Sequence, residues 1–315
     1  MRRAWNSYVI ASWLSIVALG VAVSLSSANA AVADEQQDTF TTPQQAVDAL
    51  VAANRSASTA ELLKILGPES ENLINSGDPV ADKAGRERFL AAYDTSHRLE
   101  SQGADKAVLM VGRENWPLPI PLVRQGATWS FDTKTGEKEI LDRRIGRNEL
   151  NVIEVCRAYV GAQREYAARD RMGSGRLEYA QHLLSSPDKH DGLYWPTTNP
   201  EPESPFGPLL AKARKAGYFS TSGGDESKPY RGYYYKILTR QGPNAAGGAR
   251  DYVVDGHMTG GFALVAFPAK YADSGIMTFI VNQTGIVYQK DLGSETGSLA
   301  ANMMQFDPDA TWKTP

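Results

Sequence analysis

The sequence predicts an α+β fold, with N-terminal helices and a curved antiparallel sheet followed by one long helix packed on an antiparallel meander. Three observations carry this. Apolar residues recur at three- and four-residue steps between 42 and 94, short β-branched and aromatic blocks bounded by turn residues fill 106–131 and the chain after 230, and a long helical stripe lies between them.

Residues 31–39 are small and polar and read as a disordered lead-in. Thr42-Pro43-Gln44-Gln45 is a helix start, with Thr42 as N-cap, Pro43 at the first helical position and Gln45 three residues past the cap. Ala46, Val47, Ala49, Leu50 and Ala53 give that helix its apolar face. A second helix over about 58–66 ends at Gly67-Pro68, and a third over about 79–94 turns Phe89, Leu90 and Tyr93 inward. Strands follow at 106–111, 118–123 and 128–131, with a hairpin around Gln125-Gly126. Pro117, Pro119 and Pro121 remove every second N–H, so their strand pairs on one side only and belongs at a sheet edge.

These elements make a first domain of 40–135. The charged stretch 136–147 is a linker or a connecting helix, and 148–315 is a second domain. In it Asn148 caps a helix over about 149–170 whose buried stripe is Leu150, Ile153, Cys156, Val160 and Gln163. An irregular Pro-rich stretch with one helix near 208–216 runs to about 229, long enough to suggest functional surface. Strands are then expected at 233–239, 251–254, 257–258, 262–267, 277–281 and 286–289, reversed at Asp255-Gly256 and Gln283-Thr284-Gly285.

Arg2 and Arg3, the apolar run from Tyr8 to Leu25 and the small-x-small triplet Ala28-Asn29-Ala30 have the form of an export signal in residues 1–30, cleaved near Ala30. A periplasmic or secreted protein follows, without membrane contact after cleavage. The full chain carries 33 Lys plus Arg against 36 Asp plus Glu, and losing Arg2 and Arg3 leaves 31 against 36. Nucleic acid is therefore an unsuitable partner, since its binding needs clustered positive charge. Cys156 is the sole cysteine, which excludes an internal disulfide and suits a small core hydrophobe.

RRIGRNEL (143–150), CRAYVGAQREYAARD (156–170), GLYWP (192–196), GYYYKIL (232–238), GGFALVAFPAKY (260–271) and SGIMTFIVNQTGIVYQKDLG (274–293) resemble the bacterial exported domain of unknown function 2950 family. With TPQQAVDAL (42–50) and SGDPVADKAGRERFLAAYD (76–94), the likeness spans nearly the whole chain after the leader. It implies an exported protein with no assigned activity and no catalytic residues to carry over. By order of elements, 40–135 resembles the cone-shaped fold of nuclear transport factor 2 relatives. The long helix and meander of 148–315 are similar to the globular part of pilin-like proteins, without the hydrophobic first helix that pilins use in filaments.

Arg143, Arg144 and Arg147 stand just before the expected helix at Asn148, where the dipole disfavours positive charge. They call either for carboxylates such as Asp142, Glu139 and Glu149, in a network joining the two halves, or for an anionic ligand. Tyr194 and Trp195, with Tyr233-Tyr234-Tyr235, are exposed or half-exposed aromatics that serve packing or a groove for polysaccharide or peptide. Asp170 to Glu178 has the outline of a calcium loop, but Met172 and Gln181 stand where oxygen ligands belong, so a turn ending the long helix is expected. Asp94 and His97 form either a carboxylate–imidazole pair or a helix end. His182, His190 and His257 lack zinc spacing, and no nucleotide-binding or nucleophile motif occurs. The expectation is a non-enzymatic binding or assembly module, partnered by an envelope protein or polysaccharide and needing no metal or cofactor. The alternative is an enzyme without a recognisable motif.

Overall fold

Thr42 opens the first helix, α1 (Pro43–Ser56), by accepting a hydrogen bond from the Gln45 amide at 3.2 Å. This is a computed structural model describing residues 36–196, 203–218 and 228–315. The expected export signal lies outside the described residues. Helix α2 (Thr59–Leu66) is capped by Ser58 and closed by Gly67, a 3-10 turn follows at Pro68–Ser70, and α3 (Glu71–Ile74) and α4 (Pro79–Thr95) complete the helical layer. The lead-in is ordered from residue 36. The side-chain amide of Gln37 donates to the carbonyls of Ile65 and Phe131 at 3.0 and 2.8 Å, and Phe40 bridges Trp129. Backbone hydrogen bonding therefore pins a segment whose composition reads as disordered.

The helices cover an antiparallel sheet of β1 (His97–Ser101), β2 (Lys106–Val111), β3 (Trp116–Pro117), β4 (Leu122–Gln125) and β5 (Thr128–Phe131), ordered β1-β2-β4-β5 with β3 also on β2. The expected strand at 118–123 is broken. Pro117 ends a two-residue piece, β3, and pairing resumes only at Leu122, where β4 lies between β2 and β5 and not at the expected edge. Strand β1 gives no sequence signal, because only Leu99 is even half-buried in it.

The long helix, α5, spans Thr133–Ala167 and not 149–170. Asp132 is its cap, accepting from the Thr135 amide at 3.2 Å, and Asn148 lies in the interior. The stretch 136–147 is thus helical, and its charges stabilise it: Lys138 meets Asp142 at 2.5 Å and Arg143 meets Glu139, both one turn apart. Of the expected stripe, Cys156, Val160 and Gln163 are buried, together with Val152, Val155, Tyr159 and Tyr166, whereas Ile153 is half-buried and Leu150 is 68% exposed.

Beyond α5 come a parallel pair, β6 (His182–Leu184) and β7 (Gly192–Tyr194), and helix α6 (Gly207–Lys215). Then follow β8 (Tyr233–Leu238), β9 (Arg240–Gln241), β10 (Arg250–Asp251), β11 (Val253–Val254), β12 (His257–Met258), β13 (Ala263–Pro268), β14 (Met277–Asn282), β15 (Val287–Asp291), α7 (Thr296–Ala301) and β16 (Gln305–Phe306). Strands β15-β14-β13-β8 form the expected meander, and α5 packs on its three strands β13 to β15. Asp255 and Gly256 both have positive φ, as the tight β11–β12 hairpin requires. The described residues form one unit with two main cores, one around Leu50, Leu109, Leu122 and Phe131, the other around Tyr159, Tyr233, Phe262 and Phe279.

Candidate functional site

Between the cores the chain spends its polar side chains on backbone groups. Asp78, 1% exposed, caps α4 through the Ala81 amide, and its second oxygen accepts from the Tyr218 hydroxyl and the Gly232 amide, both at 2.8 Å. Asn148 donates to the Ser274 carbonyl, and Glu149 accepts from the amides of Ile276 and Met277 at 3.0 Å. Gly232 is required where it stands. Its φ is +79°, and a Cβ would lie 2.5 Å from the Asn148 amide nitrogen.

Beside this seam opens a cleft of about 630 Å³. One wall is α5, from which Ile140, Arg144, Arg147, Asn148 and Asn151 project at steps of four, three, one and three. The other is α4, which offers Asp82, Gly85, Arg88 and Phe89, and the apolar floor includes Leu50, Leu62, Leu118 and Ile120.

The three predicted arginines part company here. Arg143 is an exposed helix-surface pair with Glu139 and does not line the cleft. Arg144 does join chain segments, but through carbonyls and not carboxylates: it donates to Asn72 and Leu73 at 2.7 and 2.6 Å. The turn before α4 presents bare C=O groups that a guanidinium satisfies directly. Burial lowers the Arg144 pKa, and the charges of Asp82 and Asp273 oppose the shift. Arg147 lines the cleft and is exposed, and its guanidinium has no acceptor among the described residues. Its pKa is lowered by partial burial and by the neighbouring charges of Arg88 and Arg144. Arg88 likewise has no acceptor.

Asp82 is the carboxylate facing these cations, but both its oxygens are engaged, one by the Ser76 hydroxyl at 2.6 Å and the other by the Ser76 amide at 3.1 Å. Burial raises its pKa, against those bonds and Arg144. Arg231 is held by the Asn151 side chain at 2.8 Å and the Tyr230 ring and hydroxyl. Sequence reasoning found Arg144 and Arg147 but missed Arg88, Asn151 and Arg231. The signal for Asn151 was present, as the i, i+3, i+4 stripe 144–147–148–151 on one helix.

Tyr194 and Trp195 do not form an exposed platform. They are 7% and 3% exposed and sit in the larger core, with Arg214 over the Tyr194 ring and Arg171 over Trp195. Tyr194 ends β7, which packs against α5, and Trp195 follows it. Asp94 and His97 do not pair: Asp94 meets Arg55 at 2.5 Å, while His97 stacks on Tyr93 and bonds its carbonyl. The Asp170 carboxylate accepts from the Ser174 and Gly175 amides at 3.0 and 2.8 Å, and these bonds lower its pKa. Cys156 is fully buried and its thiol is pushed up to about 12. No cluster of three or more His, Cys, Asp or Glu suited to a metal occurs among the described residues, and no described helix is long and apolar enough to cross a membrane.

No curated protein and no solved structure matches the chain. Residues 37–314 match the family model described as "Protein of unknown function (DUF2950)", and the chain belongs to that family.

Proposed function

We propose that this is an exported, non-enzymatic binding protein that holds a small ligand in the cleft between α4 and α5. The carrying observation is the cleft itself, whose volume falls in the range of small-molecule sites and whose lining combines aliphatic side chains with five arginines and Asp82. The polar groups beside it that have the chemistry for proton or group transfer, Ser76 and Asp82, are locked to each other. Export rests on the leader-like sequence of residues 1–30, and N-terminal sequencing of the protein from an export-competent host should find Ala31 or a close neighbour first. Helices over a sheet in the first half, and one helix on a four-stranded meander in the second, support the cone-like and pilin-like architectural readings.

The test uses Gly85, in the middle of α4 on the cleft wall, where a new Cβ has only the Arg88 guanidinium within 4 Å, at 3.9 Å. Gly85→Leu strengthens the helix by replacing its weakest helix former and fills the cleft. The neutral fluorophore N-phenyl-1-naphthylamine should bind the parent and Gly85→Ala saturably and bind Gly85→Leu at least about tenfold more weakly. Equal binding by Gly85→Leu, or no binding by the parent, overturns the reading.

A second reading has its own observation. An open groove along the outer strand β8, lined by His182, Tyr234, Tyr235 and Lys236, offers the aromatic surface that a polysaccharide or an extended segment of an envelope protein would use. Protection of β8 amides from hydrogen exchange on adding glycan fragments would favour it.

A further inference from the structure

We propose that the ligand of this cleft is an anionic amphiphile, its negative head held between Arg88 and Arg147 and its aliphatic tail laid along Leu50, Phe89 and Ile140. This rests on the cleft being a ligand site and adds the class of ligand. Five arginines line the cleft, Arg86, Arg88, Arg144, Arg147 and Arg231, against one carboxylate, Asp82, whose oxygens are already used. Arg144 and Arg231 are tied to protein groups. Arg88 and Arg147 have no such partner among the described residues; both are exposed to solvent and their charges repel. A carboxylate or phosphate head would accept from both guanidiniums and relieve that repulsion. A small inorganic anion would leave the aliphatic walls wet, and a neutral lipid would gain nothing from the two guanidiniums. Head and tail together match the two surfaces the cleft presents.

The experiment is displacement of N-phenyl-1-naphthylamine by ten-carbon compounds that differ only in the head, with inorganic phosphate as a head without a tail. Decanoate or decyl phosphate should displace the probe at a concentration at least about tenfold below decan-1-ol or decyltrimethylammonium, and phosphate should displace none. In the double variant R88Q/R147Q, which removes no protein–protein hydrogen bond and should melt with the parent, the decanoate-to-decanol preference should shrink to about twofold or less. Probe binding without any head preference, or a preference that survives R88Q/R147Q, overturns the anionic head and leaves the cleft reading standing. Phosphate binding as tightly as decyl phosphate overturns the tail. Failure of the neutral probe to bind the parent removes both.

Discussion

Helix α5 is two helices in its behaviour. From Val152 to Tyr166 its inner face is sealed against the meander: Tyr159 is fully buried, donates to the Ala263 carbonyl and receives a bond from the Gln163 amide, itself locked to the backbone of Ala180. From Ile140 to Asn151 the same helix borders a cleft, and Arg147 on it has an unused guanidinium. The difference shows which side chains were spent on holding the fold. On the sealed face Tyr159, Gln163 and Tyr166 all have partners inside the protein, and in the open half Arg147 awaits one from outside.

The largest effect expected from this contrast is chemical. With burial holding its pKa up at about 12 and its sulfur out of solvent, the native Cys156 thiol should react with a thiolate-selective reagent at pH 8 far more slowly than the unfolded chain. The sign for stability follows: the folded value is raised, so the contribution of a neutral Cys156 is complete below the unfolded value and is lost as pH climbs towards 12. A native labelling rate matching that in urea would contradict the sealed face. Next in size, Tyr159→Ala should lower the unfolding free energy in urea by about 3–5 kcal/mol, through a lost ring and an unsatisfied Ala263 carbonyl.

In the open half, Arg144→Ala and Arg147→Ala should separate. The first removes two hydrogen bonds to carbonyls and should cost roughly 1.5–3 kcal/mol, whereas the second removes none and should stay within about 0.5 kcal/mol. Equal costs in parallel melts would mean that Arg147 is structural too. The smallest effect is none at all: melts with calcium and with chelator should coincide, because the Asp170 oxygens are occupied by backbone amides.

The sequence showed its regular elements where local chemistry decides them. Thr42, Ser58 and Asp255-Gly256 act as cap, cap and hairpin turn, and the meander follows its apolar blocks. It misled where tertiary contacts decide. Gln37 orders a polar segment through bonds to residues 28 and 94 positions away, and β1 is a polar strand made only by pairing with β2. The start of α5 was obscured because the charged stretch 136–147 reads equally as linker and as exposed helix. At the site, composition pointed to Arg144 and Arg147 and offered carboxylates or an anionic ligand as partners, since no local signal tells a guanidinium bonded to carbonyls from one in an ion pair. Arg88 was silent because its role depends on α4 and α5 facing each other across empty space. Tyr194 and Trp195 looked like surface beside a Pro-rich loop, and burial under Arg214 and Arg171 shows that they are core.

The claim that the open half of α5 awaits an anionic amphiphile is met most directly by a crystal structure grown with decanoate. The account predicts a carboxylate within hydrogen-bond distance of Arg88 and Arg147, its chain running past Phe89 and Ile140. Decanoate bound only along β8, or lying in the cleft with its carboxylate turned away from both arginines, would contradict it.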